Sequence, residues 1–190
     1  FVYENNIYIR DFKKGKTSQV TKDGKKNHII NGMCDWVYEE EFSFTRAFEW
    51  SPDGNHLAFM RFDETKVPEF IMPMFEDGSH PRYERFKYPK VGDTNASVSL
   101  KIYNCKKAIT VDAKIGDLTD MYLPRLKWTQ NNNQVAVIKL NRLQNHLQLL
   151  LVDANKGISS VLMKEKSKYY IEMHDNLDFL EDGQHFIWTS

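Results

Sequence analysis

Trp50-Ser-Pro-Asp-Gly54 followed by Leu57-Ala58-Phe59 reads as an aromatic strand end, a tight polar turn and a second apolar strand. The same unit returns as Trp128-Thr-Gln-Asn-Asn132 with Val135-Ala136-Val137, and again as Phe179-Leu-Glu-Asp-Gly183 with Phe186-Ile187-Trp188. Pro presets φ and Gly tolerates φ > 0, so the chain reverses at little steric cost and the flanking strands run antiparallel. A second hairpin alternates with the first: Asn6 to Asp11, Gly15, then Gln19-Val20-Thr21, echoed by Leu147 to Asp153, Gly157, then Ser160-Val161-Leu162. Ser99 to Asn104 followed by Ala108 to Val111 is a looser copy. Two alternating hairpins give four strands per repeat, from about Phe48 to Val111 and from Leu126 to Leu162, with a half-unit at each end. Four-stranded antiparallel sheets repeated in sequence are the signature of propeller blades. A β-sandwich also has many short strands but does not require the same two hairpins in alternation. The fold class expected is therefore all-β, a fragment of a multi-bladed β-propeller with a short acidic helix insertion.

The repeats are unequal: 78 residues separate Trp50 from Trp128, but 51 separate Trp128 from Phe179. The excess lies between Asp63 and Val98, where Pro68, Pro73, Pro81 and Pro89 stand among methionines and aromatics. Such apolar content predicts an elaborated crossing between strands, since a solvated linker would be polar. The expected boundaries are 1–22 for the end of one blade, 23–46 for the acidic helix insertion, 47–115 for an elaborated blade, 124–165 for a blade and 177–190 for the start of the next. Opening on Phe1-Val2-Tyr3 without an initiator Met or a signal segment, the chain is expected to be a piece of a longer protein.

Composition narrows the function. The 190 residues carry 26 Lys+Arg against 26 Asp+Glu, with 41% hydrophobic residues, which suits a packed core and supplies no net field to attract nucleic acid. The longest apolar runs, such as Leu149-Leu150-Leu151-Val152, fall far short of the roughly 20 residues of a bilayer-spanning helix. Cys34 and Cys105 lack zinc or redox spacing and are read as two buried thiols or as one bridge, a matter of distance. The six histidines, His28, His56, His80, His146, His174 and His185, show no i, i+4 pair and no His-Glu-x-x-His, so neither a metal nor a cofactor is expected. Asn95-Ala96-Ser97 matches a glycosylation acceptor, a tripeptide common by chance. Trp50 and Trp128 are expected in the blade core. The Asn141 to Asn145 stretch is read either as reaching a central cavity or as a polar network within a turn.

One segment breaks the repeat: Asn31-Gly-Met-Cys-Asp35-Trp36-Val37-Tyr38-Glu39-Glu40-Glu41-Phe42. Asp35 can cap a short helix whose first turns favour carboxylates, so one or two helical turns are expected from Trp36 to Phe42. The surrounding aromatics predict partial burial of Glu39, Glu40 and Glu41, and adjacent buried carboxylates take up protons unless a cation sits among them. Two readings follow. Either the acids form a cation receptor, for instance for a peptide ammonium, or they form a solvated turn paired with distant arginines such as Arg46, Arg61 or Arg142. For Glu39 a structural role is expected.

Asp35-Trp-Val-Tyr-Glu-Glu-Glu-Phe42, Trp50-Ser-Pro-Asp-Gly54 with Leu57-Ala58, Thr65-Lys-Val-Pro68, Tyr88-Pro-Lys-Val-Gly92 with Asn95, and Asn141-Arg-Leu-Gln-Asn145 together resemble the N-terminal propeller domain of the dipeptidyl-peptidase IV family, in the same order and over essentially the whole chain. The resemblance implies an eight-bladed propeller covering a C-terminal α/β-hydrolase domain, with substrates entering a cavity between them. It implies that Glu40 and Glu41 hold the free N-terminus of a peptide substrate. It further implies release of an N-terminal dipeptide, with Pro or Ala second, by a Ser-Asp-His mechanism. No Gly-x-Ser-x-Gly elbow occurs here, so the whole triad is expected beyond Ser190 and the hydrolase domain is absent from this chain. The family's substrate-carbonyl arginine is expected before Phe1. A homodimer of the full-length protein and an extracytoplasmic setting, periplasmic or cell-surface, are likewise implied. The family includes non-catalytic relatives, which leaves an interaction platform as the alternative, and tripeptide-releasing ones.

Overall fold

A computed structural model describes residues 1–76 and 78–190; Asp77, inside the crossing expected between Asp63 and Val98, lies outside the described residues. The repeats fold as antiparallel sheets in sequence order. The first holds β1 (Val2–Tyr3), β2 (Asn6–Asp11) and β3 (Lys16–Gln19) in the order β1-β2-β3. The second holds β4 (Ile29–Asn31), β5 (Phe48–Trp50), β6 (His56–Asp63), β9 (Ser97–Asn104) and β10 (Ile109–Asp112), ordered β10-β9-β6 with β4 and β5 both on the free edge of β6. The third is the four-stranded β11-β12-β13-β14, from β11 (Met121–Trp128), β12 (Gln134–Asn141), β13 (His146–Asp153) and β14 (Ser159–Lys166). A last hairpin joins β15 (Leu177–Phe179) to β16 (Phe186–Trp188). This is part of a β-propeller: all-β, antiparallel, with one helix among the described residues, α1 (Trp36–Phe42).

All three Trp-type turns are hairpins, β5-β6, β11-β12 and β15-β16, and the second type makes β2-β3, β9-β10 and β13-β14. The elaborated crossing carries its own hairpin of β7 (Glu69–Met74) and β8 (Arg82–Lys87). The second sheet reaches further back than the sequence boundaries put it. Ile29, Ile30 and Asn31 pair with Asp63, Phe62 and Arg61, so these three residues are sheet rather than insertion. Phe48 pairs with Phe59 further along the same edge of β6. The innermost strand is thus split in two, and α1 leaves through the gap on a short stalk in which Gly32 N–H donates to Met60 O, Ala47 N–H to Gly32 O and Cys34 N–H to Thr45 O.

The middle strands of the second and third sheets are apolar on both faces because each of these sheets packs between two others. Leu57 to Met60 on β6 and Val135 to Ile138 on β12 are 0–1% exposed. One apolar cluster runs from the second sheet through the third to Ile171 and Leu177, and a second joins Ile7 of the first sheet to Leu57 and Phe59. The end of the outer strand β14 alternates half-buried Met163 and Glu165 with exposed Lys164 and Lys166, charges that discourage edge pairing. Trp128 follows expectation: it is 8% exposed and its indole N–H donates to Glu49 O of the preceding sheet at 2.9 Å. Trp50, expected in the blade core, is 40% exposed among the described residues.

Neighbouring sheets also touch through backbone. Gly157, at φ +70°, accepts from Lys114 N–H at 2.7 Å, and a Cβ placed on it would lie 2.2 Å from Asp112 O. At Gly54, φ +68°, a Cβ would meet nothing within 4 Å. Gly54→Ala is expected to cost about 1–2 kcal/mol, the left-handed penalty alone. Gly157→Ala adds a backbone clash between two sheets and is expected to cost upwards of about 4 kcal/mol. Urea unfolding midpoints of the two variants check the order.

Candidate functional site

Asp35 sits at the N-cap of α1 in extended backbone, its carboxylate accepting from Tyr38 N–H at 3.1 Å and its carbonyl from Glu39 N–H at 3.2 Å. Ser43, in the left-handed conformation at φ 56°, ends the helix. Seven residues are too few for a helix to hold itself in water, so α1 depends on what it touches. Tyr38 supplies most of that: 2% exposed, its ring meets Phe42, Phe44, Phe62 and Tyr122 edge-on at centroid distances of 4.8–5.9 Å. Its hydroxyl accepts from Leu123 N–H at 2.9 Å.

That donor is free for a local reason. The β11-β12 register shifts between Tyr122 and Arg125, at the point where Pro124 has no N–H to give the ladder. Leu123 therefore turns its N–H to the helix, and Arg125, just past the irregularity, donates from Nη1 to Phe42 O at 2.9 Å and to Pro124 O at 2.8 Å. The same guanidinium pairs through Nε with Asp175 and stands 5.8 Å from the centroid of the Phe44 ring. Below the end of α1 opens a cavity of about 460 Å³ lined by Phe44, Arg46, Glu49, Met60, Arg125 and Asp175 among others.

Val37, Tyr38 and Phe42 are buried, whereas Glu39, Glu40 and Glu41 are all exposed. The expected half-burial of the three acids is thereby corrected. The aromatic residues of the segment take the packed side of a two-turn helix, and the carboxylates take what is left. Nor do the arginines named as partners pair with them: Arg46 pairs with Glu49, Arg61 with Asp23 at 2.8 Å and Arg142 with Asp120 at 3.2 Å. Among the described residues no ion pair involves Glu39, Glu40 or Glu41. Glu39, assigned a structural role, is an exposed acid in the first helical turn. The helix is anchored by one side and, among the described residues, presents carboxylates without ion-pair partners on the other.

The other singled-out residues resolve plainly. Cys34 and Cys105 are free thiols; Cys34 Sγ donates to Phe44 O at 2.8 Å, and burial pushes it up to about 12. Asn141 accepts from the N–H groups of Asn145 and His146 and donates to the Asn145 side chain at 2.8 Å, a polar network within the turn. His56 is packed, 6% exposed, against Asn104, and His185 lies in the open beside Asp182. Among the described residues no three His, Cys, Asp or Glu side chains are placed to hold a metal ion.

The comparisons with known proteins agree in one direction. The model of the "Dipeptidyl peptidase IV (DPP IV) N-terminal region" matches residues 1–190. The chain belongs to the dipeptidyl peptidase IV N-terminal region family. Within that family it is 33% identical to the inactive dipeptidyl peptidase 10 of Mus musculus over 100% of this chain and 24% of that protein. Dipeptidyl aminopeptidase B of Saccharomyces cerevisiae is 37% identical over 88% of this chain and 21% of its own length. The crystal structure of Porphyromonas gingivalis dipeptidyl peptidase 4 superposes with a TM-score of 0.92 at 40% identity, covering 96% of this chain and 26% of that one. The chain thus spans about a quarter of the length of these relatives.

Sequence reading missed Glu64. In Asp63-Glu64-Thr65, just before Val67-Pro68, it has the look of an exposed turn, yet it is 6% exposed. Burial, with the Asp35 charge adding, pushes its carboxyl up to about 7, against the pull of Lys87; burial also raises Asp35 to about 6. A carboxyl raised in the folded state holds a proton there that the unfolded chain releases, so stability falls as pH climbs from about 4.5 to about 7. Glu64→Gln removes that penalty. The melting temperature of the variant should exceed that of the wild type by a margin that opens over this window and is small near pH 4.5; a margin that does not vary with pH counts against the assignment.

Proposed function

We propose that this chain is the part of a serine exopeptidase that admits peptide substrates and receives their free N-terminus, with Glu40 and Glu41 holding the ammonium. The observation that carries the reading is the pair itself: adjacent, exposed and unpaired carboxylates on a helix clamped by Asp35, Tyr38 and Arg125. An ammonium bonded to both would gain roughly 1.5–3 kcal/mol per charge-assisted bond before desolvation. Because an extended residue spans about 3.3–3.6 Å, fixing the amine fixes which peptide bond reaches a nucleophile. Binding remote from the scissile bond becomes orientation at it.

The reaction this positioning serves is release of an N-terminal dipeptide with Pro or Ala second, by a Ser-Asp-His triad on a C-terminal α/β-hydrolase domain of the parent protein. No Gly-x-Ser-x-Gly occurs among the 190 residues, so the chain contributes binding and gating rather than bond cleavage. A homodimeric parent working outside the cytoplasm completes the proposal. A second reading, a propeller that serves only as an interaction platform, is favoured by the 33% identity to the inactive dipeptidyl peptidase 10.

The two separate on the full-length parent. Glu40→Ala and Glu41→Ala are each expected to lower kcat/KM for a Gly-Pro arylamide at least tenfold, and acetylation of the substrate amine to lower kcat/KM of the unaltered enzyme by about a hundredfold. Activity within twofold of the unaltered protein in both variants would sink the amine clamp. A folded parent that cleaves neither substrate favours the platform.

A further inference from the structure

The two ends of α1 are fixed by different means. Asp35 caps the start from within the segment, but the last turn carries no basic residue of its own to meet its unpaired carbonyls. The cation comes instead from Arg125, 83 residues away in sequence, whose Nη1 donates to Phe42 O. Its side chain is 21% exposed, and the planar guanidinium spends its donors on three elements at once: the end of α1, the Pro124 carbonyl of β11, and Asp175 in the approach to β15. Lys, a point charge, cannot hold that fork. The residues immediately before Phe42 are Glu41 and Glu40, so a tilt of the helix end moves the carboxylates by a similar amount.

We infer that Arg125 is a positioning residue for the Glu40 and Glu41 pair, setting where an incoming amine is held by tying the end of α1 to β11 and to the segment before β15. The inference rests on the amine-clamp reading above and adds to it a residue that never touches substrate. Asp175 is its counter-anchor: lying at the rim, 81% exposed, it orients the guanidinium without being part of the packed core. The cost of misplacement falls on register, so it should appear where the free amine matters and nowhere else.

The test uses the full-length parent and three readouts: kcat/KM for Gly-Pro arylamide, kcat/KM for its N-acetyl form, and the rate of labelling of the catalytic serine by a fluorophosphonate, which carries no amine. Arg125→Met should lower the first about tenfold while labelling stays within twofold, narrowing the preference for the free amine. Arg125→Lys should recover only part of the loss. Asp175→Asn, an exposed substitution that spares the fold, should shift the preference about threefold in the same direction and carries the test if Arg125→Met does not accumulate. A preference unchanged within twofold in Arg125→Met and Asp175→Asn, with Glu40→Ala and Glu41→Ala still impaired, overturns the role of Arg125 and leaves the clamp standing. Labelling that falls in step with cleavage also overturns it, since the defect is then a general loss of structure. A wild type that prefers no free amine, or cleaves neither substrate, overturns both.

Discussion

The hydroxyl of Tyr38 accepts a hydrogen bond from a backbone N–H that the neighbouring sheet has released, and the placement of the acidic helix follows from that bond. As the edge strand of its sheet, β11 has backbone groups that the ladder does not pair. Here Pro124 interrupts the β11-β12 ladder, the register shifts, and Leu123 finds its partner in another sheet's insertion. Removing the phenol oxygen would leave a buried donor unsatisfied, at a cost of about 1–3 kcal/mol. The geometry of α1 is therefore written jointly by two repeats, one contributing the helix and the next contributing the irregularity that receives it.

Around this bond the segment is sorted by polarity. Aromatic rings fill the space between the second and third sheets, where both faces of the middle strands are already covered, and the carboxylates of Glu39, Glu40 and Glu41 are left outward. Charge that does enter the packed region is handled case by case. Asp35 spends its carboxylate on a backbone N–H; Arg125 spends its guanidinium on carbonyls and one carboxylate. Burial, with the charge of Asp35 adding, instead pushes Glu64 toward its neutral form.

The fold was legible from the sequence because hairpin chemistry is local. Trp-Ser-Pro-Asp-Gly specifies its own turn, and two hairpin types in alternation specify a repeated four-stranded sheet. The helix was legible for the same reason, Asp35 lying three residues from the N–H it caps. What escaped was everything set by distant partners. Exposure of the three glutamates depends on Phe62 and Tyr122, burial of Glu64 on how the crossing folds back, and the role of Arg125 on Phe42 and Asp175, 83 and 50 residues away.

The split innermost strand has a consequence for the order of assembly. Strands β4 and β5 can join β6 as soon as residues 29–63 are available, since all their pairings are with that one strand. The helix between them cannot be completed then: its hydroxyl partner is 85 residues on and its terminal cation 83. A seven-residue helix with those contacts unmade is mostly coil. During synthesis from the N-terminus the acidic segment therefore waits, as an open loop on a formed sheet, until the next repeat has emerged and closed over it, and the carboxylate pair is among the last features of this region to take shape.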